Sequence, residues 1–271
     1  MPLAPRRRSS AARSLCLLVA ALCAGCALWA PDRELAVAWR LTRLMPADVL
    51  VLGEQHDASE HQAIEREAVE ALAGDGRLAA LTIEMAEEGQ GTAHLRSDAT
   101  EAQVQTALGW NDKAWPWAAY GPSVMAAVRA GVPVFGANLP RERMKDAMAD
   151  VSLDAQLGEA ERNAQQQAVR EGHCDLLAEA QIVPMTRIQM ARDRSMAQVT
   201  LKAHSPGKTV LLIAGAGHAT KTLGVAQHLP TDVRLKSVRL VAGDGGDLSG
   251  YDAVWRTPAL PARDYCAALR K

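Results

Sequence analysis

The chain has no basic stripe. Its 30 Lys and Arg are offset by 31 Asp and Glu, for a formal charge of −1 at pH 7, so nothing along it would neutralise a run of phosphates and nucleic acid is excluded as a partner. Beyond the first residues it also lacks any apolar segment long enough for a membrane span. Phosphate cradles are missing too. The glycine-rich Gly243 to Gly250 is not followed by Lys-Ser/Thr, and Gly215 to Thr222, reading G-A-G-H-A-T-K-T, lacks the second glycine of a nucleotide loop. There is no internal repeat apart from one short echo, described next.

What is present is organised around Asp48 to His61, D-V-L-V-L-G-E-Q-H-D-A-S-E-H. Val49 to Leu52 form an unbroken apolar run suited to a strand buried on both faces, and Gly53 lets the chain turn out of the sheet. A helix is expected to follow, capped by Asp57 or Ser59, with Ala63, Ile64, Val69 and Leu72 facing inward. Glu54 and His56 thereby fall at the carboxyl edge of a sheet, where open α/β sheets bind ligands. The pattern returns at Val210 to Ala214, which ends in G-A-G-H, Gly215 to His218. Two G-x-x-H turns on one rim point to a site, although either histidine alone reads as well as a solvated or capping residue.

Leu78 to Ile83 is the second strand, with Glu84 at its end, and Val132 to Gly136 the third, with Asn138 leaving it. Val233 to Val241 and Tyr251 to Trp255 supply two more. From Leu153 to His204 strand signal gives way to helical periodicity. The fold class is therefore α/β: a mostly parallel sheet flanked by helices, 31–149 and 206–271, with a helical insertion over 150–205 between the third and fourth strands. That insertion is expected to sit over the carboxyl rim as a lid, with Arg187, Arg192 and Asp193 in its last helix.

Two imidazoles and one or two carboxylates, His56, His218, Glu54 and Glu84, form a ligand set for a divalent transition metal, with Asn138 and Arg192 behind the ligands or on the substrate. In a hydrolase the same four would be catalytic, a spare Glu acting as general base. Haem asks instead for an apolar slot and one axial ligand. Tyr120, Tyr251, His94, His173 and Met185 are the axial candidates, and Tyr120, His173, Arg192 and Asn138 form the candidate cofactor-binding set. Tyr120 and Tyr251 read equally as core tyrosines.

Several stretches together resemble one known family. They are V-L-G-E-Q-H-D with His61, T-I-E-M at Thr82 to Met85, V-F-G-A-N-L-P-R-E at Val134 to Glu142, and G-H-C at Gly172 to Cys174. Q-M-A-R-D-R-S-M-A at Gln189 to Ala197, I-A-G-A-G-H-A at Ile213 to Ala219 and Y-D-A-V-W-R-T-P at Tyr251 to Pro258 complete the set. From about Leu44 onward the chain is similar to the ChaN family of haem-binding uptake proteins, in a wider group with the Tiki metal-dependent proteases and the erythromycin esterases. The resemblance implies haem or iron binding in iron uptake. The residues themselves suggest a polar, metal-competent site, so a metal-dependent hydrolase is the alternative and a non-catalytic binding module the third reading. Haem or another small molecule is the expected ligand, and a homodimer is compatible.

The start of the chain is an export signal. Arg6, Arg7, Arg8 and Arg13 come with no acid, and the apolar run Leu15 to Cys23 follows. L-C-A-G-C leads to Cys26 as a lipid-modified cysteine, with Cys23 where such signals usually have Leu; cleavage without lipid is the other reading. The expected location is the periplasmic side of a bacterial cell envelope, held to the membrane by lipid. Loss of 1–25 removes four arginines and no acid, taking the formal charge from −1 to −5. Of 5 cysteines, Cys16 and Cys23 leave with the signal and Cys26 takes lipid. An even remainder in an oxidising compartment suggests a disulfide between Cys174 and Cys266. The competing reading makes Cys174, beside His173, a metal or haem ligand. The two exclude each other, because a ligand must be a thiolate.

Overall fold

The computed structural model describes residues 1, 36–245, 249–267 and 270. The expected export signal and lipid site at Cys26 lie outside the described residues, as do positions 246–248 of the glycine-rich turn. Six strands form one sheet: β1 Val49–Glu54, β2 Leu78–Glu87, β3 Val134–Asn138, β4 Thr209–Gly215, β5 Leu235–Ala242 and β6 Ala253–Thr257. Their order is β3-β2-β4-β1-β5-β6 and every pairing is parallel. All residues of β1 and of β4 are buried, which is why these central strands read as continuous apolar runs.

Strand alternation splits the core in two. Leu50, Leu52, Leu81, Ile83, Leu211 and Ile213 face one layer of helices, α1 Val37–Thr42, α2 Ser59–Gly74, α3 Glu101–Ala107 and α4 Trp117–Arg129. Val49, Val51, Leu212 and Ala214 face the other way, onto Met196, Ala197 and Val199. Those residues belong to α7 Glu179–Lys202, which follows α5 Met144–Ala149 and α6 Glu159–Gly172.

Several boundaries differ from the sequence reading. The cap of α2 is Ala58, without a side-chain hydrogen bond, because Asp57 turns outward. Ala63 is exposed; His61, Gln62 and Glu65 are buried in its stead. β2 runs on through Glu84 to Glu87, and β3 is shifted to include Asn138. The largest difference concerns 150–205. β3 ends at the carboxyl edge and the parallel β4 begins at the amino edge, so the segment joining them has to cross the sheet. α7 makes that crossing, packed on β2, β3 and β4, with its Asp193 at the carboxyl rim beside His218. Only the first attachment point of the insertion therefore lies at the carboxyl edge.

Candidate functional site

The site lies at the carboxyl ends of three adjacent strands, β2, β4 and β1. β4 runs between the strands that bring Glu84 and His56 to the rim, and what it offers there is a glycine. A Cβ on Gly215 would stand 3.0 Å from His56 Nε2 and 3.5 Å from Glu84 Oε2. A side chain at 215 would press on the His56 ring, which would have to give by a few tenths of an ångström.

Alternation along β1 sends Glu54 to the α2 and α4 face. There Tyr120 on α4 donates its hydroxyl to Glu54 Oε1 at 2.8 Å, and Gln62 on α2 donates to Oε2 at 2.9 Å. His56 Nδ1 lies 2.9 Å from the same Oε1. Glu54 is thus occupied as an anchor, with little left for a ligand. Beneath it Glu65 is fully buried and neither oxygen finds a donor. Burial, then the charge of Glu54, raises its pKa well above the usual 4.5, so it is held as the neutral acid. His56 itself is half-open, with 40% of its side chain exposed and its ring edge-on to Trp115 at 4.8 Å. Burial works against its charge, but Glu54 and Glu84 outweigh that and raise its pKa.

The opposite face carries the other half. Glu84 Oε2 accepts from the Gly215 N–H at 2.7 Å. Its Oε1 stands 3.5 Å from His218 Nε2, and Oε2 4.0 Å from His56 Nε2. His218 Nδ1 is 2.7 Å from Asp193 Oδ1 on α7. Burial would neutralise all three groups, yet His218 is raised to about 10 by Glu84 and Asp193, and Glu84 is held down to about 2 by His218, His56 and the Gly215 N–H. Burial pushes Asp193 upward. The pair that keeps its charges is His218 with Glu84.

His56, His218, Glu54 and Glu84 therefore meet at one rim; of the other candidates, Tyr120 and Asn138 bond to members of that group and the rest stand apart from it. Tyr120 is 3% exposed and its hydroxyl is committed to Glu54, so it braces the site and presents no face to a cofactor. Tyr251 donates to the Ala216 carbonyl. Asn138 donates to the Glu84 carbonyl at 3.0 Å, fixing β2 from its edge. His173 closes the end of α6 with Nδ1 on the Val169 carbonyl. Arg192 neighbours Asp193 on α7, its Nε buried without a hydrogen-bond partner. His94 lines a cleft of about 430 Å³ with Gln90, Phe135 and Lys202, and none of the rim residues belongs to that cleft.

Sequence reasoning passed over Gln62, Glu65, Trp115 and Tyr265. A polar face on α2, His61 and Gln62 with Glu65 four and three residues on, was the available signal for the first two. Tyr265 comes from the tail, reaching Asp57 Oδ2 at 2.8 Å. The next residue, Cys266, is joined to Cys174 by a disulfide, which leaves no thiolate there for a metal. Among the described residues no three His, Cys, Asp or Glu side chains are grouped tightly enough to hold a metal ion as they stand, and no helix is long and apolar enough to cross a membrane.

Residues 40–229 match the family model described as haem-binding uptake, Tiki superfamily, ChaN. Among solved structures, the chain is similar to ChaN of Campylobacter jejuni, described as showing cofacial haem binding. The identity is 23%, covering 79% of this chain and 89% of that one, with a TM-score of 0.66. The type III effector HopBA1 matches at 15% identity over 85% of this chain and 97% of its own, with a TM-score of 0.44. RRSP, a toxin effector domain from Vibrio vulnificus, matches at 14% over 82% and 40%, with a TM-score of 0.43. No curated protein matches the chain in sequence.

Proposed function

The chain belongs to the ChaN family of haem-binding uptake proteins in the Tiki superfamily, and from that premise we propose that it binds haem at the carboxyl rim, in the service of iron uptake. The observation that carries this reading is His56. Its Nδ1 is tied to Glu54, its ring is 40% exposed, and its Nε2, 4.0 Å from the nearest acid, lies beyond hydrogen-bond distance and keeps its lone pair for a ligand. Glu54 fixes the tautomer and raises the basicity of the free nitrogen, as partners of ligating histidines do. Trp115 against the ring gives the rim aromatic surface for a planar ligand. Haem iron would supply the redox and ligand chemistry; the chain's own groups orient the imidazole and keep its proton on Nδ1, toward Glu54.

Export, lipid attachment at Cys26 and a periplasmic location belong to the same proposal, supported by the basic and apolar start of the chain. A homodimer fits it as well, a second copy covering the outer face of a rim-bound ligand. Titrating haemin into the purified protein tests the core of it. A saturable Soret shift, with weaker binding of metal-free protoporphyrin, is the expected result; no saturable shift contradicts it.

A second reading rests on a separate observation. Each imidazole has its Nδ1 on a carboxylate, and each Nε2 faces Glu84, at 3.5 and 4.0 Å. Two donors sharing a tetrahedral zinc ion stand about 3.4 Å apart. The donor types suit a divalent transition metal bound by His56, His218 and Glu84, with His56 closing slightly, and such an ion would supply Lewis acidity for hydrolysis. Stoichiometric metal by elemental analysis, lost in His218→Gln, supports it. Metal-free protein that hydrolyses nothing and still binds haemin supports a binding module.

A further inference from the structure

We propose that the Cys174–Cys266 disulfide is a redox-operated strap: it holds the tail against the rim loop beside His56, and a dithiol reductant releases it. This proposal regulates the site described above and rests on that reading of His56.

The tail leaves β6 at Thr257, on the carboxyl edge, and returns across it. Tyr265 donates its hydroxyl to Asp57 Oδ2 at 2.8 Å and accepts from Gln55 Nε2 at 3.0 Å. Arg263 adds an ion pair to the same Asp57 oxygen at 3.6 Å. Gln55 and Asp57 are the residues on either side of His56. The contacts that pin the tail to the loop are therefore exposed hydrogen bonds and an exposed ion pair, which hold weakly in water. Among the described residues from 258 to 267 none is buried and none is in a helix or strand, and Tyr265 is 54% exposed. What fastens this segment is the bond at Cys266, which closes a separation of 92 residues.

The other end of the bond is built to stay in place. Cys174 and Asp175 both adopt left-handed backbone, at φ 58° and 56°, in the turn that ends α6. Their N–H groups donate to Glu171 and Arg170 carbonyls, each at 2.9 Å, and α6 packs on α7. Opening the disulfide leaves this turn intact and frees only the tail. Cys174 and Cys266 are both half-buried, so a small or protein dithiol can approach.

The step balances. One thiolate of the dithiol attacks one sulfur of the bond, and the other cysteine leaves as a thiolate and takes up a proton. The second thiolate of the reductant then attacks the reductant's own sulfur in the mixed disulfide and displaces the protein cysteine, so the reductant ends as a disulfide and the protein as two thiols, with two electrons transferred. Once Tyr265 and Arg263 depart, the Asp57 carboxylate and the Gln55 amide beside His56 face solvent.

Hydrogen exchange on the full chain reads the strap without haem. Oxidised protein, protein treated with dithiothreitol and Cys266→Ser are compared, with free thiols counted by alkylation and mass. The expected result is at least tenfold faster exchange of amides 55–58 and 258–267 on reduction, matched by Cys266→Ser, which reductant does not change further. Amides of β4 stay protected, showing an intact fold. Unchanged exchange of 55–58 in fully reduced protein overturns the strap. Haemin association is then timed in both forms. Binding several-fold faster in the reduced form is expected, and equal rates overturn the regulatory role. Exchange that responds while haemin binds neither form removes the haem reading and leaves the strap standing.

Discussion

The two G-x-x-H turns begin alike, each a buried strand running into glycine and ending on a histidine beside an acid, and they finish differently. His218 is closed in: 13% of its side chain is exposed, Asp193 holds one nitrogen and Glu84 faces the other. His56 is open, with 40% exposure, one nitrogen anchored and one free. The difference comes from what each strand face meets. β4 delivers His218 onto α7, which brings Asp193; β1 delivers Glu54 onto α2 and α4, while His56, two residues on, has left the sheet for the rim. A shared motif therefore yields one histidine that holds the structure together and one available to a ligand.

Removing His218 should cost most. His218→Ala leaves Glu84 and Asp193 buried without their counter-charge, and breaking a buried pair in this way costs about 3 to 5 kcal/mol. Urea unfolding should show that loss, against less than about 1 kcal/mol for the half-exposed His56→Ala. Equal losses would erase the contrast between the two turns. The pH dependence carries the same sign. His218 is raised from 6.5 to about 10, so its stabilisation is complete below 6.5 and is lost as pH rises through 10. Glu84 is depressed from 4.5 to about 2, so its share is present above 4.5 and lost as pH falls through 2. The wild type should lose stability between pH 6.5 and 10, and His218→Gln should flatten that slope.

Glu65, on the His56 side, should act in the opposite direction. Its folded pKa lies well above 4.5, so its acid form favours folding below pH 4.5 and that contribution falls away as pH rises. Glu65→Gln, which keeps the shape and cannot ionise, should match the wild type near pH 4. At pH 7 it should be the more stable of the two, because the wild type must take up a proton to fold and the amide need not. A smaller effect is expected of Trp115→Ala, about 1 kcal/mol from the lost ring contact, together with weaker haemin binding. Thermal unfolding and a Soret titration measure the two effects separately.

Both strands of the central pair were legible in the sequence, because a parallel strand buried on two faces has to be apolar and a glycine has to open the turn. The rim residues followed from that. Strand order was not legible: nothing in Leu78 to Ile83 says that β4 will slide between β2 and β1, and the part played by Gly215 appears only once it does. The buried polar face of α2 was hidden because a search for apolar periodicity selects Ala63 and passes over Gln62 and Glu65. The route of 150–205 was misjudged at its far end, since a parallel crossover must travel from one edge of the sheet to the other. Tyr265 meets Asp57 across 208 residues, a distance at which local pattern carries no information.

The central claim is that the open histidine takes the ligand. It is tested most directly by titrating haemin into wild type, His56→Ala and Arg234→Ala. Arg234 is paired with Asp48 at the amino edge of β1, so its variant controls for changes remote from the rim. The account predicts a saturable Soret shift of equal midpoint in wild type and Arg234→Ala, and a midpoint at least tenfold higher, or no shift, in His56→Ala. An unchanged midpoint in His56→Ala would contradict it.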